Sequence, residues 1–420
     1  MLPSDPQAQR LRVLYIAEYF PTPARPNLGI FVERQASHLL PWCEITVVSP
    51  TRIVPPLRVW KRMLRPRRLK EEWGRWRREV VSTPPAGRVG ELPVHYPRYV
   101  SPPKQVFHGL WGFWAYAFAR PLLRRLHREQ RFDLIHAHYA VPAGVVALLA
   151  RRWMGVPVVL SVHGTDVTYT VRQHRLSAAI VRWAFRKVDA IMVNSDWTRR
   201  QVLRYGGNDA TTRIVRLGGD APAAEPAPAS PADEIRLLSV GYLEERKGHA
   251  YVLRALRQLR DLGYAPRYTI VGGGPLEASL KALVRELGLE DAVEFAGARP
   301  HREVWEYLAR CDIFALPSWD EAFGVAYIEA LGMGKPAIGC AGEGGPEDLR
   351  TLGDCVELVA PRDVASLAAA LRRLLDDPGR RERMGAVGRE IVERHYTWRR
   401  NAADSLAIYQ SALNKAGSQP

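Results

Sequence analysis

"APAAEPAPASPAD", residues 221–233, decides how the chain divides. Its six Ala and four Pro offer almost nothing to bury, so the stretch reads as a semi-extended hinge. On both sides of it, short β-branched runs alternate with helical patterns, the signature of βαβ units and parallel sheets. Before it lie "LRVLYIA" (11–17), "EITVVS" (44–49), "DLIHAH" (133–138), "PVVLSV" (157–162), "DAIMVN" (189–194) and "TRIVRL" (212–217). After it the pattern restarts with "IRLLSVG" (235–241), "RYTIVG" (267–272), "AVEFAG" (292–297), "DIFALP" (312–317), "PAIGC" (336–340) and "CVELV" (355–359). The sequence therefore predicts an α/β protein of two Rossmann-like, doubly wound parallel-sheet domains, 1–220 and 234–396, facing each other across the hinge. In such sheets ligands bind beyond the carboxyl ends of the strands.

Size and composition agree. A chain of 420 residues exceeds one ordinary core, and 47% hydrophobic with 25% charged residues is globular composition. Cys43, Cys311, Cys340 and Cys355 show no CxxC pairing, so neither a zinc knuckle nor a disulfide framework is indicated and a reducing cytosol fits. "MLPSDPQAQR" lacks the pattern of a signal peptide, and the apolar runs are shorter than the roughly 20 residues a bilayer needs. No repeat at solenoid or propeller periods is present.

The net charge is +16, and residues 52–80 hold 11 Lys/Arg against 3 Glu, half of that surplus. Trp60, Trp73 and Trp76 are interleaved with them. Cationic heads and indoles suit an anionic membrane surface; a solvated loop fits the same composition. Nucleic acid is not expected as a partner, because no helix-turn-helix, zinc finger or RNP-like pattern accompanies the charge.

In "WDEAFGVAYIEALGMGKP" (319–336) a carboxylate stands in the second turn of an apolar helix. If that helix begins near Gly324, Glu329 shares a face with Val325, Ala326 and Met333, and the face is expected to be buried. A buried carboxylate needs donors, from a distant Lys or Arg or from a ligand with two adjacent hydroxyls such as a ribose. Eight helical residues separate Glu321 from Glu329 by roughly 12 Å, against about 5 to 9.5 Å for a glycosidase pair. The two carboxylates thus fit different parts of one long ligand. Between them Gly324 and its neighbours present free N–H groups at a helix start, a seat for phosphate.

"EAFGVAYIEALGMGKPAIG" resembles the E-x7-E block of the retaining glycosyltransferases of family 4, which have the GT-B fold. "LLSVGYLEERKGHAYVLRAL" resembles that family's VGRL…KG segment, "IVGGGPLEASL" its GxGP turn and "GEGGPEDL" its GG-x-x-E loop. "DLIHAHYAVPAGVVALLA" and "PVVLSVHGTD" resemble its acceptor-domain core. The likeness covers nearly the whole chain, and five blocks in order make it specific.

The resemblance implies roles residue by residue. Glu321 lies by the transferred sugar, Glu329 holds the ribose, and Lys247, expected to begin a helix, binds the diphosphate. His163 contacts the sugar. Gly241, Phe323, Gly324, Val325, Gly344 and Gly345, with Gly29 of the loop "FPTPARPNLGIFVERQ" (20–35), line the donor site, and Glu347 lies near it. Where the family has Arg, this chain has Tyr242, so that role is not carried over; Arg246 is a candidate substitute, and the sequence leaves open whether it takes the role. The last helix, in 397–420, crosses back onto the first domain.

Alone, "VGGGP" (271–275) reads as a structural turn, with Pro275 in the first turn of the next helix. Asp166 reads as a cap of the following helix. His136 and His138 share one strand face without an acidic or Cys cluster, so no metal site is indicated, and the family needs no metal cofactor. The expected reaction moves a hexose from a UDP- or GDP-linked donor to a glycan or lipid-linked acceptor, in the cytoplasm or at the inner membrane face, during envelope polysaccharide synthesis. A sugar-nucleotide epimerase of the same fold, or a non-catalytic basic protein binding membrane or nucleic acid, are the alternatives.

Overall fold

A computed structural model describes residues 10–26, 28–53, 74, 83–102, 105–219 and 235–417. The predicted hinge at 221–233 and nearly all of the basic stretch 52–80 lie outside the described residues. The chain forms two compact units, Met1–Leu217 with Trp398–Pro420, and Gly218–Thr397.

The first unit holds an eight-stranded sheet in the order β10-β9-β8-β7-β1-β2-β5-β4. The strands are β1 (Leu11–Ala17), β2 (Cys43–Val48), β4 (Ala86–Val89), β5 (Leu92–His95), β7 (Leu134–His138), β8 (Val158–Val162), β9 (Ala190–Val193) and β10 (Thr212–Ile214). The short β3 (Thr51–Arg52) and β6 (Arg98–Tyr99) pair separately. All pairs in the large sheet are parallel except β4 with β5, which form an antiparallel hairpin through Gly90 and Glu91. That edge departs from the all-parallel expectation. Gly90 has φ 55, as a Gly-X two-residue hairpin loop requires at its first position.

Buried runs on both faces explain the parallel core: β7, β8 and β9 are buried along their whole length. Alternation along β1 sends Leu14 and Ile16 to one face, where they pack with α2 (Trp111–Gln130), α3 (Val145–Met154), α4 (Arg175–Lys187) and α5 (Asp196–Arg204). Val13, Tyr15 and Ala17 point to the other face, into a cluster with α1 (Ile30–Leu39) and α13 (Trp398–Gly417). The last helix therefore completes the first unit. Tyr15 Oη lies 3.0 Å from Tyr409 Oη, Gln35 donates to Ser405 at 3.1 Å, and Asn401 donates to the Arg216 carbonyl at 2.8 Å.

The second unit holds a six-stranded parallel sheet in the order β13-β12-β11-β14-β15-β16. These are β11 (Arg236–Val240), β12 (Arg267–Val271), β13 (Val293–Gly297), β14 (Ile313–Ala315), β15 (Ala337–Cys340) and β16 (Val356–Val359). Leu237, Ile270, Ile313 and Ile338 meet α6 (His249–Asp261), α7 (Glu277–Glu286) and α11 (Val364–Asp376) on one face. Each such fully buried aliphatic side chain contributes about 1.5–3 kcal/mol. The remaining helices are α8 (His301–Arg310), α9 (Val325–Gly332), α10 (Gly344–Leu352) and α12 (Pro378–His395).

All four cysteines are free and buried, and burial pushes their thiols up to about 12, so they behave as small apolar side chains. Among the described residues no helix is long and apolar enough to cross a membrane.

Candidate functional site

In the second unit the loop between β14 and α9 carries Glu321, and its neighbours pin it from three sides. Lys247 Nζ lies 2.5 Å from Glu321 Oε2, with the two side chains 13% and 12% exposed. Arg246 NH1 stands 3.8 Å from the same oxygen, while its NH2 pairs with Glu244 at 2.7 Å. The backbone N–H of Glu321 donates to Glu343 Oε2 at 2.8 Å, and the N–H of Gly344 donates to the Glu321 carbonyl at 2.8 Å. Burial raises the Glu343 carboxyl above its ordinary range, the backbone N–H groups of Glu321 and Asp320 opposing it.

Lys247 does not begin a helix, as the sequence had suggested. It closes a 3₁₀ turn, Glu245–Lys247, and α6 starts two residues later behind Gly248. The turn frees the lysine from helical geometry, and Trp319 N–H donates to the Arg246 carbonyl at 2.9 Å, fastening it to the loop that carries Glu321. Tyr242, where the family has Arg, is 58% exposed.

Gly345 is buried at the start of α10, and a Cβ there would lie 1.7 Å from the Phe323 carbonyl oxygen. Only glycine lets the two backbones touch. The Phe323 side chain turns inward, 6% exposed, with its ring 5.9 Å from that of Tyr396. Glu347 accepts from the Gly342 N–H at 2.8 Å and so braces its own loop.

The 271–275 turn rests on the end of β11, with Leu243 N–H on the Gly273 carbonyl and Leu276 N–H on the Leu243 carbonyl, each at 3.1 Å. Pro275 precedes α7 by two residues instead of opening it. Gly241 sits beside the Lys247 stem, where a Cβ would find ordinary contacts at 3.7 Å.

Helix α9 starts after Gly324, whose φ is 76, and ends before Gly334, φ 72. Glu329 is buried, as expected, but its face is not buried throughout. Met333 is 5% exposed whereas Val325, four residues before Glu329, is 39% exposed. The helix core is built instead by Tyr327, Ile328, Ala330 and Leu331. The partner of Glu329 is neither Lys nor Arg but His301, whose Nε2 lies 2.5 Å from Oε1.

In the first unit the sheet rim gathers aromatic and imidazole rings. His163 follows β8, and its Nε2 lies 3.0 Å from His138 Nδ1, the rings stacked at 5.3 Å. His136 bridges Tyr409 Oη at 2.7 Å and Ser161 Oγ at 2.8 Å. Burial drives His136 and His163 down to about 3 and His138 well below the usual imidazole range, so all three are neutral at physiological pH. His163 can thus act only as a neutral hydrogen-bonding group. Phe31 and Tyr139 rings lie 4.8 and 4.9 Å from it. Gly29, φ 65, caps α1, and a Cβ on it would stand 2.1 Å from the Tyr19 carbonyl oxygen.

Asp166 is not a helix cap. It is 1% exposed and accepts from Ala140 N–H at 2.6 Å and His163 N–H at 3.4 Å, tying the β7 and β8 loops together. Burial raises it to about 6.

The structure therefore brings together Glu321, Lys247, Arg246, Gly344, Gly345 and the Phe323 backbone, with Glu329 on the helix that follows. His163 and Gly29 belong to the first unit. Two residues escaped the sequence reading. Glu343 stood inside the quoted GEGGPEDL stretch, but nothing in its spacing marks it as an acceptor for a loop 22 residues away. His301 pairs across 28 residues and two helices, which no periodicity reveals.

Residues 220–391 match the family described as Glycosyl transferases group 1, and residues 74–221 match Glycosyltransferase Family 4. The chain is 31% identical over 319 residues to the 2-deoxystreptamine glucosyltransferase of Streptomyces kanamyceticus, covering 69% of this chain and 80% of that one. It is 26% identical over 374 residues to the putative teichuronic acid biosynthesis glycosyltransferase TuaC of Bacillus subtilis (strain 168), covering 86% and 89%. Sucrose-phosphate synthase from Thermosynechococcus elongatus superposes with a TM-score of 0.73 at 21% identity, over 97% of this chain and all of that one. Anabaena Alr3699/HepE, solved with UDP and glucose, gives 0.66 at 18%, with coverage of 97% and 100%. Fold and similarity together define a glycosyltransferase of GT-B architecture. The chain belongs to glycosyltransferase family 4.

Proposed function

We propose that this glycosyltransferase moves a hexose, with retention of anomeric configuration, from a UDP- or GDP-linked donor to a glycan acceptor carried on a lipid. The observation that carries the reading is the sealed Lys247–Glu321 pair beside the start of α9, with Glu329 in that helix's second turn. Cation, helix amides and a second carboxylate in this order suit diphosphate, phosphate oxygens and ribose. Lys247 has three N–H donors and spends one on Glu321, leaving others for a phosphate oxygen.

In this reading the C1–oxygen bond to the diphosphate breaks and the acceptor oxygen bonds to C1 on the same face. The acceptor's proton passes to the departing phosphate oxygen. Lys247, Arg246 and the α9 amides bear the charge that develops on the leaving group, with no metal required.

Relatives support the finer points. Alr3699/HepE was solved in complex with UDP and glucose, which favours a nucleoside diphosphate donor. TuaC is named for teichuronic acid biosynthesis, which favours envelope polysaccharide assembly in the cytoplasm or at the inner membrane face. The Arg/Trp stretch 52–80 would then meet an anionic lipid surface.

Thermal-shift screening against UDP-, GDP- and ADP-sugars tests the donor, and NMR of the product's anomeric proton tests retention. Glu329→Ala should abolish the donor shift while the protein still unfolds cooperatively. A variant that keeps its full donor response, or a product with inverted configuration, would overturn the assignment.

A further inference from the structure

Glu329 faces a partner that holds it without needing to cancel its charge. His301 opens α8, its side chain is 47% exposed, and it covers a carboxylate that is 6% exposed. Its ring lies 4.9 Å from that of Trp305, one turn further along the same helix. A lysine or arginine in this place would always bring a positive charge, whereas an imidazole can donate one N–H while neutral. A carboxylate offers about four acceptor sites on two oxygens, so one bond to Oε1 leaves Oε2 able to accept two more.

We propose that His301 is a positioning residue of the donor site: it fixes Oε1 of Glu329 so that the carboxylate is already oriented to accept the vicinal hydroxyls of the donor's ribose. This rests on the reading of Glu329 as the ribose ligand. The bond immobilises a flexible side chain before the nucleotide arrives, so binding does not have to order it. The half-exposed imidazole thus contacts a carboxylate that is itself almost wholly buried.

Calorimetric titration of UDP and GDP, each beside its 2′,3′-dideoxy counterpart, separates the possibilities in the full chain. The wild type should prefer the ribose form of whichever nucleotide binds by at least about tenfold, the usual scale of a hydrogen bond to a charged group. His301→Ala should weaken the ribose form about tenfold and leave the dideoxy form unchanged, as expected for a charge-assisted bond. His301→Phe keeps a ring against Trp305 but has no N–H, and it should behave like His301→Ala, covering the case in which the alanine variant fails to fold. His301→Gln, which retains a donor, should restore most of the preference. Equal weakening of ribose and dideoxy forms, or no weakening, would overturn the proposal. A wild type that binds a nucleoside diphosphate without preferring ribose would instead remove Glu329 as the ribose ligand, and absence of all nucleoside diphosphate binding would remove the donor site itself.

Discussion

Lys247 and Glu321 are 74 residues apart in sequence and 2.5 Å apart in space, closing a contact almost hidden from solvent. The pair joins the end of the first βα connection in the second unit to the loop that precedes α9. Two consequences compete in such a contact. Burying the charges is costly, yet once buried each depends on the other.

Removing Lys247 alone should therefore be destabilising. Lys247→Ala strands a nearly buried carboxylate, and the expected cost is about 3 kcal/mol, the low end for a broken buried pair because Arg246 remains near the same oxygen. The double variant Lys247→Met with Glu321→Gln should recover most of it. Urea unfolding of the three proteins measures this, and a single variant as stable as the wild type would show that solvent or Arg246 suffices.

Gly345 offers a sharper steric test. Its missing Cβ would intrude on the Phe323 carbonyl, so Gly345→Ala should lose about 2–3 kcal/mol, as overpacking of a rigid site does. Gly241→Ala, where a Cβ has ordinary contacts, should stay within about 1 kcal/mol, the helix- or strand-interior scale of a glycine replacement. Comparable losses in both variants would mean that the close approach of the two loops does not set the difference.

The buried imidazoles make the first unit sensitive to acid. Histidines in the unfolded chain titrate near 6.5, whereas folded His136 and His163 are held near 3. Between those values the unfolded state binds more protons, so their contribution is complete above about 6.5 and fades as pH falls toward 3. Asp166, raised to about 6, and Glu18, raised to about 7, act in the opposite sense: their contribution is present at low pH and fades as pH rises through their range. His136→Gln isolates the first effect and should flatten the fall in stability between pH 6.5 and 4. Unfolding curves that stay parallel to the wild type across that window would refute the attribution.

Membrane attachment is expected to follow the Arg-rich stretch. Neutralising the arginines within 58–78 should abolish sedimentation with anionic vesicles at low salt while leaving the donor thermal shift unchanged. Undiminished sedimentation of that variant would remove the stretch as the anchor.

Strands proved the most legible feature because a parallel sheet buried on both faces needs uninterrupted β-branched runs; Val158–Val162 and Arg236–Val240 sit inside the stretches where the pattern puts them. The hairpin of β4 and β5 was missed, since "AGRV" and "LPVH" carry Gly, Pro and Arg in place of such runs. Helical spacing anticipated the burial of Glu329 but not the exposure of Val325, because period alone does not say how far along a helix its neighbours extend. Lys247 entered through motif resemblance, and Glu321 through its spacing from Glu329. Their contact did not, and neither did Glu343 or His301, because all of these depend on loops and helix starts that meet only after folding.

Helix α13 lies last in the chain yet supplies Tyr409 to Tyr15 and His136, Ser405 to Gln35, and Ala402 and Leu406 to the core beneath α1. The polypeptide leaves the first unit at Leu217 and returns to it at Trp398. On the ribosome the first sheet must therefore wait, one flank bare, while some 180 further residues are made. An isolated 1–217 fragment would inherit that greasy flank, so dissection of this enzyme should keep the tail joined to the head, by circular permutation or by fusing 398–417 directly behind Leu217.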